Sequence, residues 1–101
     1  MSDEITLKLY RTTDLTEAAA LTTLGYGLQG IEVVGERASF VVGYGEPEDA
    51  LWSAVSRYQQ GELAVEAREF ARRRNEVAAQ MRRALAAARA EAREVSGVDP
   101  A

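Results

Sequence analysis

The side chains that could do chemistry are few in kind. Histidine and cysteine are absent from this 101-residue sequence, and Lys8 is its single lysine. Without imidazole or thiolate there is no zinc site of ordinary type and no Ser–His or Cys–His nucleophile. Schiff-base chemistry would rest on Lys8 alone, in a segment that reads as a strand. The sixteen Asp and Glu side chains could do acid–base work, but that requires two carboxylates held in different environments. No spacing here singles out such a pair. Glu46, Glu48 and Asp49 could hold a hard cation, yet acids on the first turn of a helix face its positive end and need no cation. The sequence therefore reads as non-enzymatic, with no catalytic residue, cofactor or metal.

Two glycine motifs could engage nucleotides. Gly25-Tyr26-Gly27-Leu28-Gln29-Gly30 has the G-x-G-x-x-G lettering of a dinucleotide site. That chemistry needs a strand before the glycines and a helix after, so that phosphate meets a helix N-terminus. Here a helical pattern precedes and a strand pattern follows, which places a helix C-terminus nearby and rejects phosphate. The glycines read instead as a helix cap and a tight entry into a strand. Gly43-Tyr44-Gly45 repeats the Gly-Tyr-Gly unit; Tyr26 and Tyr44 could stack bases, but are better read as lids over the two ends of a core.

Charge is divided unevenly. The formal net charge is −4, with four basic and eleven acidic residues through residue 67 and eight basic and five acidic thereafter. A chain split this way can bind a polyanion with one part or dock onto a copy of itself. The basic part is one long helical pattern, from about 66 to 95. At about 100° per residue, Phe70, Val77, Met81, Ala84, Ala88, Ala92 and Val95 fall on one stripe. Arg68, Arg72, Arg82, Arg83, Arg89 and Arg93 fall on a second, and Glu69, Glu76, Glu91 and Glu94 on a third. Leu85 adds to the apolar side, while Arg74 snorkels beside it. A solvated face, a protein partner and nucleic acid are the three readings of the Arg stripe.

Other elements must position this helix. Ile5, Leu7 and Leu9 alternate with Thr6, Lys8 and Tyr10, the pattern of a half-buried strand with its leucines inward. Asp14 with Glu17 resembles a capping box and opens a helix that runs to Leu24, with Gly25 as its C′ residue. Leu15, Ala18, Ala19, Leu21 and Leu24 cover most of that helix, so it should be buried on more than one side. Residues 29–42 read as a hairpin about a two-residue type II′ turn at Gly35-Glu36. That turn pairs Val33 with Ala38 and Ile31 with Phe40, placing all four and Val42 on one face, with Glu32, Arg37 and Ser39 on the other. Pro47 opens another helix, striped by Leu51, Ala54, Val55 and Tyr58 and ended by Gly61. Trp52, at the edge of that stripe, is expected to pack on the last helix, with a partner contact as the alternative.

The order is β-α-β-β-α-α, an α+β fold with a three-stranded antiparallel sheet covered by helices. One domain spans residues 1–95, with a tail from 96 to 101. No apolar run approaches the ~20 residues of a membrane span. The acidic Met1-Ser2-Asp3-Glu4 start does not read as a signal peptide, so a cytoplasmic protein is expected.

The blocks Thr13-Asp14-Leu15-Thr16-Glu17-Ala18-Ala19-Ala20-Leu21, Leu24-Gly25-Tyr26 and Leu28-Gln29-Gly30-Ile31-Glu32, with Tyr58 to Phe70 (Y-x-x-G-E-L-x-V-x-x-x-x-F), resemble a small prokaryotic domain family of unknown function. The likeness spans roughly residues 7–80. It implies a phage, mobile-element or accessory origin and carries over no catalytic residue. The expected function is a protein-interaction module that self-associates through Phe70, Val77, Met81, Leu85, Ala88 and Ala92. The expected partner is a second copy, or another protein meeting the Arg stripe and Trp52, with no membrane. The alternative is a nucleic-acid-associated accessory protein that binds weakly through that same stripe.

Overall fold

Six elements form in the order the patterns demand: β1 (Lys8–Thr12), α1 (Leu15–Thr23), β2 (Gly27–Val34), β3 (Arg37–Tyr44), α2 (Glu48–Gln59) and α3 (Ala67–Ser96). The computed structural model describes residues 7–96; Ile5 and the tail beyond Ser96 lie outside them. The strands make one antiparallel sheet in the order β1-β3-β2, and the fold is α+β.

The β2–β3 hairpin has the register its turn chemistry dictates. Gly35 takes φ +66°, the left-handed value glycine adopts without cost at the first position of a type II′ turn. Ile31 pairs with Phe40, and Val33 with Ala38. A register shift between Leu28 and Gly30 leaves Gln29 as an extra residue that the alternating pattern did not reveal. Phe40, Val42 and Tyr44 point to the helices and are almost fully buried.

Helix α1 is clamped at both ends. Asp14 Oδ1 accepts from the backbone N–H of Thr16 at 2.9 Å and of Glu17 at 3.2 Å, satisfying two orphan donors of the first turn. At the other end Gly25, with φ +108°, donates to the Thr22 carbonyl at 3.0 Å while Tyr26 donates to Leu21 at 3.1 Å, the paired bonds of a Schellman cap. Between the caps Ala18, Ala19, Ala20 and Leu21 are buried, so the helix is covered on several sides. The capping box is only half formed: the Glu17 side chain turns into the fold and accepts from the Tyr10 hydroxyl at 3.0 Å.

Helix α2 starts after Pro47 and ends at a second glycine cap, where Gly61 (φ +74°) and Glu62 donate to Tyr58 and Arg57. Its inner residues Leu51, Ala54 and Val55 join Leu21, Val42 and Tyr44 in one core cluster, with Tyr26 and Leu63 packed against it. A second cluster joins Ala18, Phe40 and Val77, flanked by Leu15, Ile31 and Met81. Tyr44 is thus part of the first cluster and Tyr26 packs against it, so the two do not lid opposite ends of the core.

Strand β1 reverses the expected facing. Tyr10 pairs with Val42 and Thr12 with Phe40, so Tyr10, Thr12 and Lys8 share the helical side. Leu7 and Leu9 lie on the opposite face, 46% and 45% exposed. The polar side chains can point inward because distant groups meet them: Lys8 pairs with Glu48 of α2, and Tyr10 with Glu17 of α1. The opposite face also exposes Arg11, Glu32 and Val34, with Arg11 bridging to Glu32 at 3.0 Å.

Candidate interaction surface

Helix α3 begins where the Glu66 carboxylate accepts from the Glu69 amide, a cap that orients the whole rod. Thr22, near the end of α1, lines a groove with Arg73 and Val77. Leu15, at the start of α1, lines another with Met81 and Leu85. The two helices therefore run antiparallel, and the alanines of α1 let them approach closely.

Their lengths differ greatly. Nine residues of α1 span about 14 Å, whereas the thirty of α3 span about 45 Å. By Met81 the long helix has reached the start of α1, and fifteen residues, Arg82 to Ser96, remain. At about 1.5 Å each they extend some 22 Å further. The molecule measures 56 × 41 × 21 Å with a radius of gyration of 16.6 Å, against about 13 Å for a compact 100-residue domain. We refer to Ala67–Met81 as the inner half and Arg82–Ser96 as the arm.

The inner half is embedded in its own domain. Val77 is 3% exposed and Ala78 9%, and Met81 packs on the Phe40 cluster. This corrects the predicted self-association stripe: Val77 is covered by α1 and β3 and presents nothing to a partner, because the stripe faces the domain's own core along this length. Phe70 is half-buried at the far end of the inner half. On the arm, Ala84, Leu85 and Ala88 are half-buried and Ala92 is exposed. At the root of the arm, Leu15, Ala38, Phe40, Met81 and Leu85 line a notch of about 370 Å³, with Glu36 and Arg37 on its rim.

All six residues of the Arg stripe are exposed, but their electrostatic surroundings differ. Arg72 donates to Glu69 at 3.1 Å and to Glu76 at 2.9 Å; these contacts hold the Glu69 carboxyl below its ordinary range and raise Arg72. Arg73 lies beside the same two carboxylates, 3.5 Å from Glu69 and 3.8 Å from Glu76. Among the described residues, Arg82, Arg83, Arg89 and Arg93 make no ion pair. Glu91 is the single acid whose side chain is described on that length of arm.

Trp52 is not where the sequence places it. It lies edge-on to Tyr10, with ring centroids 5.5 Å apart at 90°, and to Tyr44, at 6.2 Å and 74°. Its indole N–H donates to Glu48 at 3.4 Å. The ring packs over β1 and β3, not α3, and remains 46% exposed. Aromatic residues on β1 and β3 that face the same helix would have signalled this, had the facing of β1 been readable.

A polar cleft of about 470 Å³ opens on the other side of α1, lined by Tyr10, Thr12, Asp14, Glu17, Ser39 and Tyr58 among others. Tyr58 donates to Asp14 Oδ2 at 2.7 Å. Burial, then the neighbouring carboxylate, pushes each phenol up to about 12: Tyr10 beside Glu17 and Tyr58 beside Asp14. Both carboxylates are accounted for by the first turn of α1, which they cap and buttress, and the meeting of residues 10, 14, 17 and 58 leaves no local pattern to read. No helix among the described residues is long and apolar enough to cross a membrane. No protein-family model, curated protein or solved structure matches this chain.

Proposed function

We propose that this protein is a non-enzymatic interaction module that self-associates through the arm of α3. One observation carries the reading: the apolar stripe continues along the helix past the point where the chain's own domain ends. A helix in a protein draws most of its stability from packing of its apolar face, and Leu85, Ala88 and Ala92 continue the side that the inner half buries. The small alanines suit close approach of a second helix. At about 100° per residue Arg82, Arg89 and Arg93 flank this stripe, so its centre is uncharged. The notch at the root of the arm adds the half-buried Leu15 to the apolar surface a second copy would meet.

The test is solution mass by light scattering at about 100 μM, where an interface with a tighter dissociation constant assembles. Wild type should run as a dimer or larger. Leu85→Glu with Ala88→Glu should return a monomer of unchanged helical content, since both residues lie beyond the core. A monomeric wild type at that concentration removes the proposal.

A further inference from the structure

A second surface of the arm is left over by self-association. Arg82, Arg83, Arg89 and Arg93 are exposed and among the described residues pair with no carboxylate, while Arg72 and Arg73, a few turns earlier, are neutralised by Glu69 and Glu76. Among the described side chains, Ala86 and Ala90 lie between these arginines, and Leu85 borders Arg89 one turn away. Positive charge dominates this face.

We propose that this face binds the phosphate backbone of a duplex nucleic acid without reading its sequence. A protein partner is recognised chiefly through buried aromatic or apolar anchors at the centre of an interface, and here there are none. A membrane surface requires large apolar side chains that enter the bilayer edge; beside these arginines the arm has only Leu85 and alanines among its described apolar side chains. A single strand is held by stacking on aromatic rings, and the arm has no aromatic residue. Phosphate contacts require only placed cations, and Arg presents a fork that matches phosphate oxygens. No side chain on this face suits base edges, so affinity is carried by counterion release.

The acidic body opposes this binding, and the geometry limits the opposition. Arg89 and Arg93 lie about 10 and 16 Å further along the axis than Arg82, and charge is screened over about 10 Å at 0.1 M salt. The outer two arginines therefore sit a screening length or more beyond the body.

The experiment is fluorescence anisotropy of the full chain with labelled DNA and RNA duplexes of mixed sequence, at about 50 and 200 mM salt. Four phosphate contacts give a salt slope near −3.6, so affinity should fall about 150-fold over that range. In Arg82→Ala with Arg89→Ala the slope should halve and the fall shrink to about 12-fold. Both substitutions favour helix, and circular dichroism should read unchanged. Binding to both duplexes assigns the shared phosphate backbone; binding to one alone narrows the ligand to that geometry. Absence of binding at the lower salt, an unchanged slope in the double variant, or equal displacement by polyglutamate at matched charge would overturn the proposal.

Discussion

The inner half and the arm of α3 belong to one unbroken helix, and they face different problems. Along Ala67–Met81 the apolar stripe meets α1 and β3, and two of the outer arginines, Arg72 and Arg73, are matched with glutamates at i±3 and i±4. Along Arg82–Ser96 the stripe thins to alanines and Leu85, and among the described residues no arginine is matched. The periodicity is the same in both. What changes is the length of the partner: α1 has nine residues and stops. Amphipathicity thus identifies a face that wants covering, and tertiary geometry decides whether the chain itself covers it.

The largest expected effect tests the inner half. Val77→Asp would place a carboxylate among Ala18, Phe40 and Val77's other core neighbours, where the adjacent cation, Arg73, already lies beside Glu69 and Glu76. The cost should be about 4 kcal/mol or more, a large part of the stability of a small domain. Thermal unfolding followed by circular dichroism should lose its cooperative transition. Leu85→Asp, two turns further along the same stripe, should melt within a few degrees of wild type when measured dilute. If both variants unfold alike, the division of the helix is wrong.

How much of this division could be read from residues alone is uneven. The hairpin register, both glycine-capped helices and the sorting of α3 follow from local rules: turn type, positive φ and 3.6-residue periodicity act over a few residues. The facing of β1 does not. Alternation puts Leu7 and Leu9 inward, but Lys8 and Tyr10 find Glu48 and Glu17 on the helical side, contacts that link residues 40 and 7 apart. Trp52 was misplaced for the same reason, since its ring follows Tyr10 and Tyr44. The end of the domain on α3 was also hidden. The stripe runs through Val77 and Ala88 alike, and only the antiparallel placement of α1 separates a core residue from one on the arm.

The second prediction concerns the polar cleft on the other side of α1. Tyr10→Phe removes the hydroxyl that donates to Glu17, a residue 3% exposed. Leaving a buried acceptor without its donor should cost about 1–3 kcal/mol, read as a lower midpoint in urea. The phenol also confers pH dependence. Its folded value, about 12, lies above the ordinary 10.0, so the folded state holds this proton more tightly. The contribution is fully present below pH 10 and is lost as pH rises from there through about 12. Wild type should therefore lose stability across that window, Tyr58 contributing in the same direction, and Tyr10→Phe should lose less.

The smallest effect separates the two Arg populations by sign. Arg72 is held between Glu69 and Glu76 on an exposed surface, where ion pairs contribute little and are screened by salt. Arg72→Ala removes those pairs but gains alanine's higher helix propensity, so the midpoint should drop slightly in low salt. At 1 M salt, where screening acts within about 3 Å, the variant should match or exceed wild type. Arg82→Ala loses no pair. It relieves repulsion from Arg83 and Arg89 on the same side and gains the same propensity, so its midpoint should stay level or rise in low salt, and by less as salt increases. Differential scanning fluorimetry of both variants across a salt series resolves the crossing. If Arg82→Ala falls in low salt as Arg72→Ala does, the arm's arginine is engaged by a carboxylate in solution, and the contrast between the two halves of α3 does not extend to their charges.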